Sequence, residues 1–214
     1  MTKPVNRDRE VVIAANASVA TLRDDRDVHA KARAAQLLVK LAYQKPPNRL
    51  IIVKTGALGE LVKLLKHEKE DLRTVCCQAC MILCYENEAA KTSVMNADAR
   101  EPLCALLKHG STCTVKAMAA RCICTLAEHH EVNRKLFVRN CCGDLKDLLK
   151  TGDDRAKYAA AACLRRLDKH LAAGQLGEIG GTQKKAAPSR TLGSQTAQPA
   201  VTRRGDLRAP VRRR

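Results

Sequence analysis

Residues 53–87, VKTGALGELVKLLKHEKEDLRTVCCQACMILCYEN, decide how the whole chain is read. Leu61, Leu64 and Leu65 recur at three and four residues, the period of one helix face. Gly56 before them and the charged EKED at 68–71 after them stand where a chain turns. From Leu72 to about Tyr85 the same period continues over a longer stretch, and NRLIIVK at 48–54 supplies a short helix ahead of Gly56. The expected unit is three helices in about 42 residues, a length typical of helical repeats.

That unit repeats. LVKLLKH at 61–67 returns as LCALLKH at 103–109 and as LKDLLKT at 145–151, at the same interval each time. A second pattern keeps step with it: LLVKLA from Leu37, ACMILC from Ala79, CICTLA from Cys122 and CLRRLD from Cys163. A fixed period of this length marks a stacked helical array in which no unit buries its apolar face alone. Leu64, Leu65, Leu106, Leu107, Leu148 and Leu149 are therefore expected to lie buried between units.

The pattern of a helix end, Gly-Ala-Leu at 56–58, a Leu-Val-x-Leu-Leu helix at 61–65 and a final Ala- and Leu-rich helix resembles the armadillo repeat. The resemblance covers about residues 9–170 and is best over 48–86. It implies an all-α, right-handed α-solenoid of about three and a half to four armadillo-like three-helix repeats. The units fall at about 9–43, 44–86, 87–129 and 130–170, with a flexible arm at 1–8 and a low-complexity basic tail at 171–214. At the front, VVIAANASVATL supplies only a worn second helix. Two later units depart from Gly-Ala-Leu, with DAR at 98–100 and NCC at 140–142, so their turns are the open question.

Composition agrees with closely packed helices: 45% of residues are apolar but only 2% aromatic, with no Trp and a single Phe, Phe137. No stretch has the roughly 18 uninterrupted apolar residues of a membrane span. MTKPVNRDRE at the start lacks the form of a secretory signal, so a soluble, cytoplasmic protein with reduced thiols is expected. The net charge of +17 places nine cations after residue 170 against Glu178 and Asp206. Lys184, Lys185, Arg203, Arg204, Arg212, Arg213 and Arg214 make this tail a candidate electrostatic tether. Its scattered Gly, Pro, Ser, Thr and Gln cannot bury enough surface to offset the entropy of ordering, so it is expected to be disordered. A field of this sign suits acidic partners.

Eleven cysteines raise three possibilities: metal, disulfides or core. The odd count and the adjacent pairs Cys76–Cys77 and Cys141–Cys142 argue against a disulfide framework. Cys76, Cys80 and Cys84 lie four residues apart on one helix face, and their counterparts in sister units include Ala34, Leu38, Ala42, Ala119, Ile123 and Ala127. They read as core residues, since free Cys packs as a small hydrophobe. A zinc site would need four converging ligands, and the CxxC of Cys77 and Cys80 lies inside a helix without a matching second pair. No metal and no cofactor is expected. Cys141 and Cys142, beside Arg139 in an expected turn, are the best candidates for reactive thiols.

Nothing reads as catalytic. GEIGG at 177–181 neither follows a strand nor opens a helix, and His129 and His130 fall at a helix end. The chain is expected to be non-enzymatic and to bind through the concave groove of its third helices. In importin alpha, as the resemblance implies, that groove carries a Trp and an Asn four residues apart, which hold a basic peptide. The matching pairs here are Gln36 and Lys40, Gln78 and Ile82, Arg121 and Thr125, and Ala162 and Arg166. None keeps Trp or Asn, and three bring a cation, which repels a basic peptide. The expected function is a protein–protein interaction scaffold that takes an acidic partner into this groove within a larger assembly. The alternatives are an RNA-associated ribonucleoprotein component and a nuclear-transport adaptor. The first is weakened because Tyr43, Tyr85, Tyr158 and Phe137 fall mostly at core-like positions and offer bases no platform. Small armadillo proteins also occur in ciliary axonemes, where acidic tubulin would suit a basic partner, so a cytoskeletal or ciliary association is a further expectation.

Overall fold

The computed structural model describes residues 4–167. The 171–214 tail and its tether residues lie outside the described residues. Ten helices follow one another: α1 (Pro4–Asp24), α2 (Val28–Gln44), α3 (Pro46–Lys54), α4 (Ala57–Leu64), α5 (Glu70–Cys84), α6 (Glu88–Asn96), α7 (Arg100–His109), α8 (Cys113–Ala127), α9 (Glu131–Thr151) and α10 (Asp154–Leu167). Among the described residues there is no strand, and no helix is long and apolar enough to cross a membrane. The first helix begins at Pro4, ahead of the residue where the repeats were expected to start.

Two units, α3–α4–α5 and α6–α7–α8, have the expected three helices. Their third helices stack in a row, α2 on α5, α5 on α8 and α8 on α10. This row is the spine of the solenoid. Leu64, Leu65, Leu106, Leu107 and Leu148 are buried as expected, and Leu149 is partly buried against the same core. Phe137 is fully enclosed.

The turns between first and second helices follow local backbone chemistry. Gly56 takes a left-handed φ of 79°, which costs glycine nothing. Asp98, at the equivalent place in the next unit, adopts φ 60° in the same role. Asp is among the few side chains that tolerate this region, and Pro102 forbids the alternative of one continuous helix. At the third equivalent position, Asn140, the turn is missing. No proline interrupts 131–151, so α9 runs through as a single helix, with the Asn140 amide donating to the Leu136 carbonyl at 2.6 Å. The last unit therefore has two helices where three were expected.

Helix ends are joined by buried polar groups. The Asn48 Nδ2 donates to the Leu41 carbonyl at 2.8 Å, and the Asn133 Nδ2 repeats the bond to Leu126 at 3.0 Å. Each satisfies a carbonyl that the end of α2 or α8 leaves without an intrahelical partner. The middle unit has Ala90 at this position, and the neighbouring Lys91 carries its ammonium to the Glu128 carbonyl while pairing with Glu88 at 3.2 Å. Between units, the Glu70 carboxylate accepts from the Ser111 amide at 3.1 Å and from the Ser111 and Thr112 hydroxyls.

Candidate functional site

The side chains of a third helix divide by face. On α5, Cys76, Cys77, Cys80 and Cys84 point inward and are fully enclosed, as expected of core residues. Burial raises the pKa of each thiol, that of Cys80 to about 12. Thiols in this state are neither nucleophiles nor ready metal ligands. Among the described residues, no cluster of three or more His, Cys, Asp or Glu side chains could hold a metal ion.

The opposite face opens on a groove of about 980 Å³ that crosses α5, α8 and α10. Met81 and Ile82 come from α5 and Tyr85 from the position just after its end; Thr114, Ala117, Met118, Arg121, Cys124 and Thr125 from α8; Asp154, Arg155, Tyr158, Ala159 and Ala162 from α10. Tyr43 from the end of α2, Arg49 from α3 and Asp153 complete the wall. The tyrosines are not core residues, contrary to the sequence expectation. Tyr43 is 61% exposed, Tyr85 46% and Tyr158 69%, because each stands on the open face of its helix. The Arg49 guanidinium lies over the Tyr85 ring at 5.3 Å from its centroid, a cation–π geometry.

Of the expected groove residues, Ile82, Arg121 and Thr125 line this cavity, together with Ala162. Gln36, Lys40, Gln78 and Arg166 do not. Their surroundings differ from one another. Ile82 and Thr125 are buried at the groove floor rather than held out to a partner, and the Thr125 hydroxyl donates to the Arg121 carbonyl at 3.2 Å. Arg166 is engaged by the Glu128 carboxylate, which takes up the charge it would offer to a ligand. Arg121 and Arg155 are exposed and form no salt bridge among the described residues. Asp153 and Asp154 place carboxylates at one end; Asp153 caps α10 by accepting from the Ala156 amide at 2.8 Å.

Sequence reasoning missed Tyr43 and Tyr85 as groove residues, although both end a third helix and stand one repeat apart. That spacing was the available signal. Cys141 and Cys142 also differ from expectation. They lie within α9 rather than in a turn, and Cys141 is fully buried and disulfide-bonded to Cys104 of α7, with Cα atoms 6.0 Å apart. The expected all-reduced set of thiols is thus not what the structure has. The partners are 37 residues apart on different units, so nothing local in the sequence reveals the pairing. His130 caps α9, its Nδ1 accepting from the Asn133 amide at 3.4 Å, and His129 is exposed at the preceding turn.

A row of stacked third helices with an open groove along one side defines an α-solenoid of helical repeats. Residues 45–79 match the family model of the armadillo/beta-catenin-like repeat. The chain thus carries an armadillo-type repeat at residues 45–79 within a fold of the armadillo-solenoid kind. Its fold is similar to that of a designed armadillo repeat protein solved in complex with the peptide (KR)4, with a TM-score of 0.68 at 17% identity over 86% of this chain and 90% of that one. A computationally designed armadillo repeat protein for modular peptide recognition matches with a TM-score of 0.67 at 19% identity, over 83% and 86%. An engineered protein matches with a TM-score of 0.67 at 25% identity, over 78% and 69%. Comparison with curated protein sequences gives no match.

Proposed function

We propose that this protein is a non-enzymatic binding scaffold that holds an extended segment of another protein in the groove across α5, α8 and α10. The observation that carries the reading is the groove wall itself. Exposed tyrosines and half-buried methionines form an apolar lining, and Arg121 and Arg155 stand among them without ion-pair partners among the described residues. Tyr and Arg are the residue types that most often anchor interfaces. The partner segment would carry apolar or aromatic anchors interspersed with carboxylates. The designed relative with its (KR)4 ligand suggests the backbone mode of such a complex, but the cations here favour the opposite charge. The tail of nine cations would speed encounter with the same acidic partner, and a cytoplasmic, cytoskeletal or ciliary assembly would supply one.

A second reading gains from one observation. Three exposed tyrosines remove the main objection to RNA, because bases stack on such rings. The two readings separate in one titration series of the full chain by isothermal calorimetry, using an extended peptide of alternating Glu and Leu or Tyr, the (KR)4 peptide and an oligouridylate. The acidic peptide is expected to bind, with a loss of about tenfold or more for Tyr85→Ala and for Arg121→Glu. Tight binding of (KR)4, or variants that bind the acidic peptide as well as the parent does, would sink the proposal. Preferential binding of the oligouridylate, weakened by the same variants, would replace it with the RNA reading.

A further inference from the structure

Among the described residues, one covalent bond joins two units of the solenoid. Cys104 of α7 and Cys141 of α9 form a disulfide across the junction between the α6–α7–α8 unit and the α9–α10 unit. The repeat shows that the fold itself does not require it. One repeat earlier the equivalent positions are Val62 of α4 and Ala99 just before α7, both buried in the apolar core, where no covalent bond is possible. The two sulfurs also differ in access. Cys141 is fully enclosed, whereas Cys104 is half-buried and lines a second cavity, of about 500 Å³, with Lys66, Asp98, Arg100, Glu101 and Asn140. Lys66 pairs there with Glu101 at 3.2 Å, and the Arg100 guanidinium donates to the Asn140 Oδ1 at 3.5 Å. A thiolate entering this cavity meets the cations of Lys66 and Arg100 and comes to the Cys104 sulfur before that of Cys141. The tie also sits where it has leverage. Because α9 has no turn at Asn140, it is one continuous helix, and a bond near its middle holds both halves. In turn α9 packs on α10, which supplies Arg155 and Tyr158 to the groove wall.

We propose that the Cys104–Cys141 disulfide is a redox-reversible tie that sets how firmly α9 and α10 are held on the solenoid, and that a dithiol opens it from the cavity beside Cys104. One thiolate of the dithiol attacks the Cys104 sulfur, the bond to Cys141 breaks, and Cys141 leaves as a thiolate that takes up a proton. The second thiol of the dithiol then attacks the mixed disulfide on Cys104 and releases a second thiolate, which is protonated in turn. The protein gains two electrons and two protons, and the dithiol ends as a disulfide. A small disulfide reverses the change, accepting the two electrons from Cys104 and Cys141 and leaving as two thiols. With the bond open, this unit rests on its apolar contacts alone, as the Val62 and Ala99 junction does. The unit touches described units on one side only, and in a linear array such a unit opens most readily. Closing the bond removes that freedom from the open chain, so the oxidised state holds the groove wall of α10 more firmly. The inference concerns the junction alone and does not depend on what the groove binds.

The test uses the full chain, oxidised with glutathione disulfide and then reduced with dithiothreitol in the absence of denaturant. Thiols are alkylated in urea with one label, and any that were bonded are reduced and given a second label before peptide mapping by mass spectrometry. Cys104 and Cys141 are expected to carry the second label after oxidation and the first after dithiothreitol. Hydrogen exchange followed by the same mapping should show amides of α9 and α10 losing protection by about tenfold or more on reduction, while those of α3 to α5 keep theirs. The double variant Cys104→Val/Cys141→Ala copies the earlier junction and should show the low protection of the reduced protein whether or not dithiothreitol is present. Circular dichroism checks that this variant folds; if it does not, the parent in its two states carries the same comparison. First label on Cys104 or Cys141 after oxidation, reduction that proceeds only once urea unfolds the chain, or protection of α9 and α10 unmoved by reduction would each overturn the proposal.

Discussion

The two faces of the third helices are built from similar residues and behave differently. Cys80 on α5 and Cys124 on α8 are both thiols in stacked helices of the same solenoid, yet burial pushes one up to about 12 while its polar neighbours bring the other down to about 7. Tyr85 and Leu83 are two residues apart on the same segment, and one is 46% exposed while the other is fully enclosed. Residue type sets what a side chain is able to do. The face it occupies sets which of those properties is expressed, because desolvation acts alone on the enclosed thiol and is outweighed by polar and charged neighbours on the half-open one.

The largest effect should come from cutting into the enclosed face and comparing it with the open one. Leu107→Ala, at a position 2% exposed, is expected to cost about 2–5 kcal/mol in urea unfolding, because the stacked units cannot collapse fully into the cavity. Tyr158→Ala, on the groove and 69% exposed, should stay within about 0.5 kcal/mol. Equal costs for the two would mean that the faces are not distinct. A smaller contrast is expected from one atom. Cys80→Ser places a hydroxyl in an apolar enclosure and should cost about 1–3 kcal/mol, whereas Cys124→Ser, half-open to water, should lie within about 0.5 kcal/mol by the same measurement. The smallest effect tests the boundary. Ile82→Thr copies Thr125 of the next unit, where the hydroxyl finds the carbonyl four residues back, so thermal unfolding should register a loss of only about 1 kcal/mol. A loss as large as that of Leu107→Ala would place Ile82 wholly in the core.

Much of this was legible from periodicity. Leu61, Leu64 and Leu65 mark a buried helix face wherever the chain repeats them, and Cys76, Cys80 and Cys84 could be assigned to the core because Ala34, Leu38, Ala119 and Ile123 hold the same places. The groove was harder. The armadillo resemblance pointed to the pair positions on each third helix; of these Arg121 stands exposed on the groove, while Ile82 and Thr125 lie on its floor. Tyr43 and Tyr85 were passed over because an aromatic residue at the end of an apolar helix looks like core until neighbouring helices are in place. The loss of the turn at Asn140 was equally hidden, since asparagine serves both in turns and, with its amide on the Leu136 carbonyl, inside a helix.

The sequence by itself determined the helices, their regular period and the leucines and cysteines that stack them, because these follow from local hydrogen bonding and from apolar spacing along one chain. Only the tertiary structure decided which tyrosines face outward, that Cys104 meets Cys141, and that Glu128 takes Arg166 while Arg121 is left open to the groove. Those outcomes depend on side chains nearly a whole repeat apart along the chain being brought into contact. Spacing in a repeat predicts that such residues will be neighbours in the array, but desolvation and hydrogen bonding, which act only between atoms in contact, decide what the neighbours do to one another.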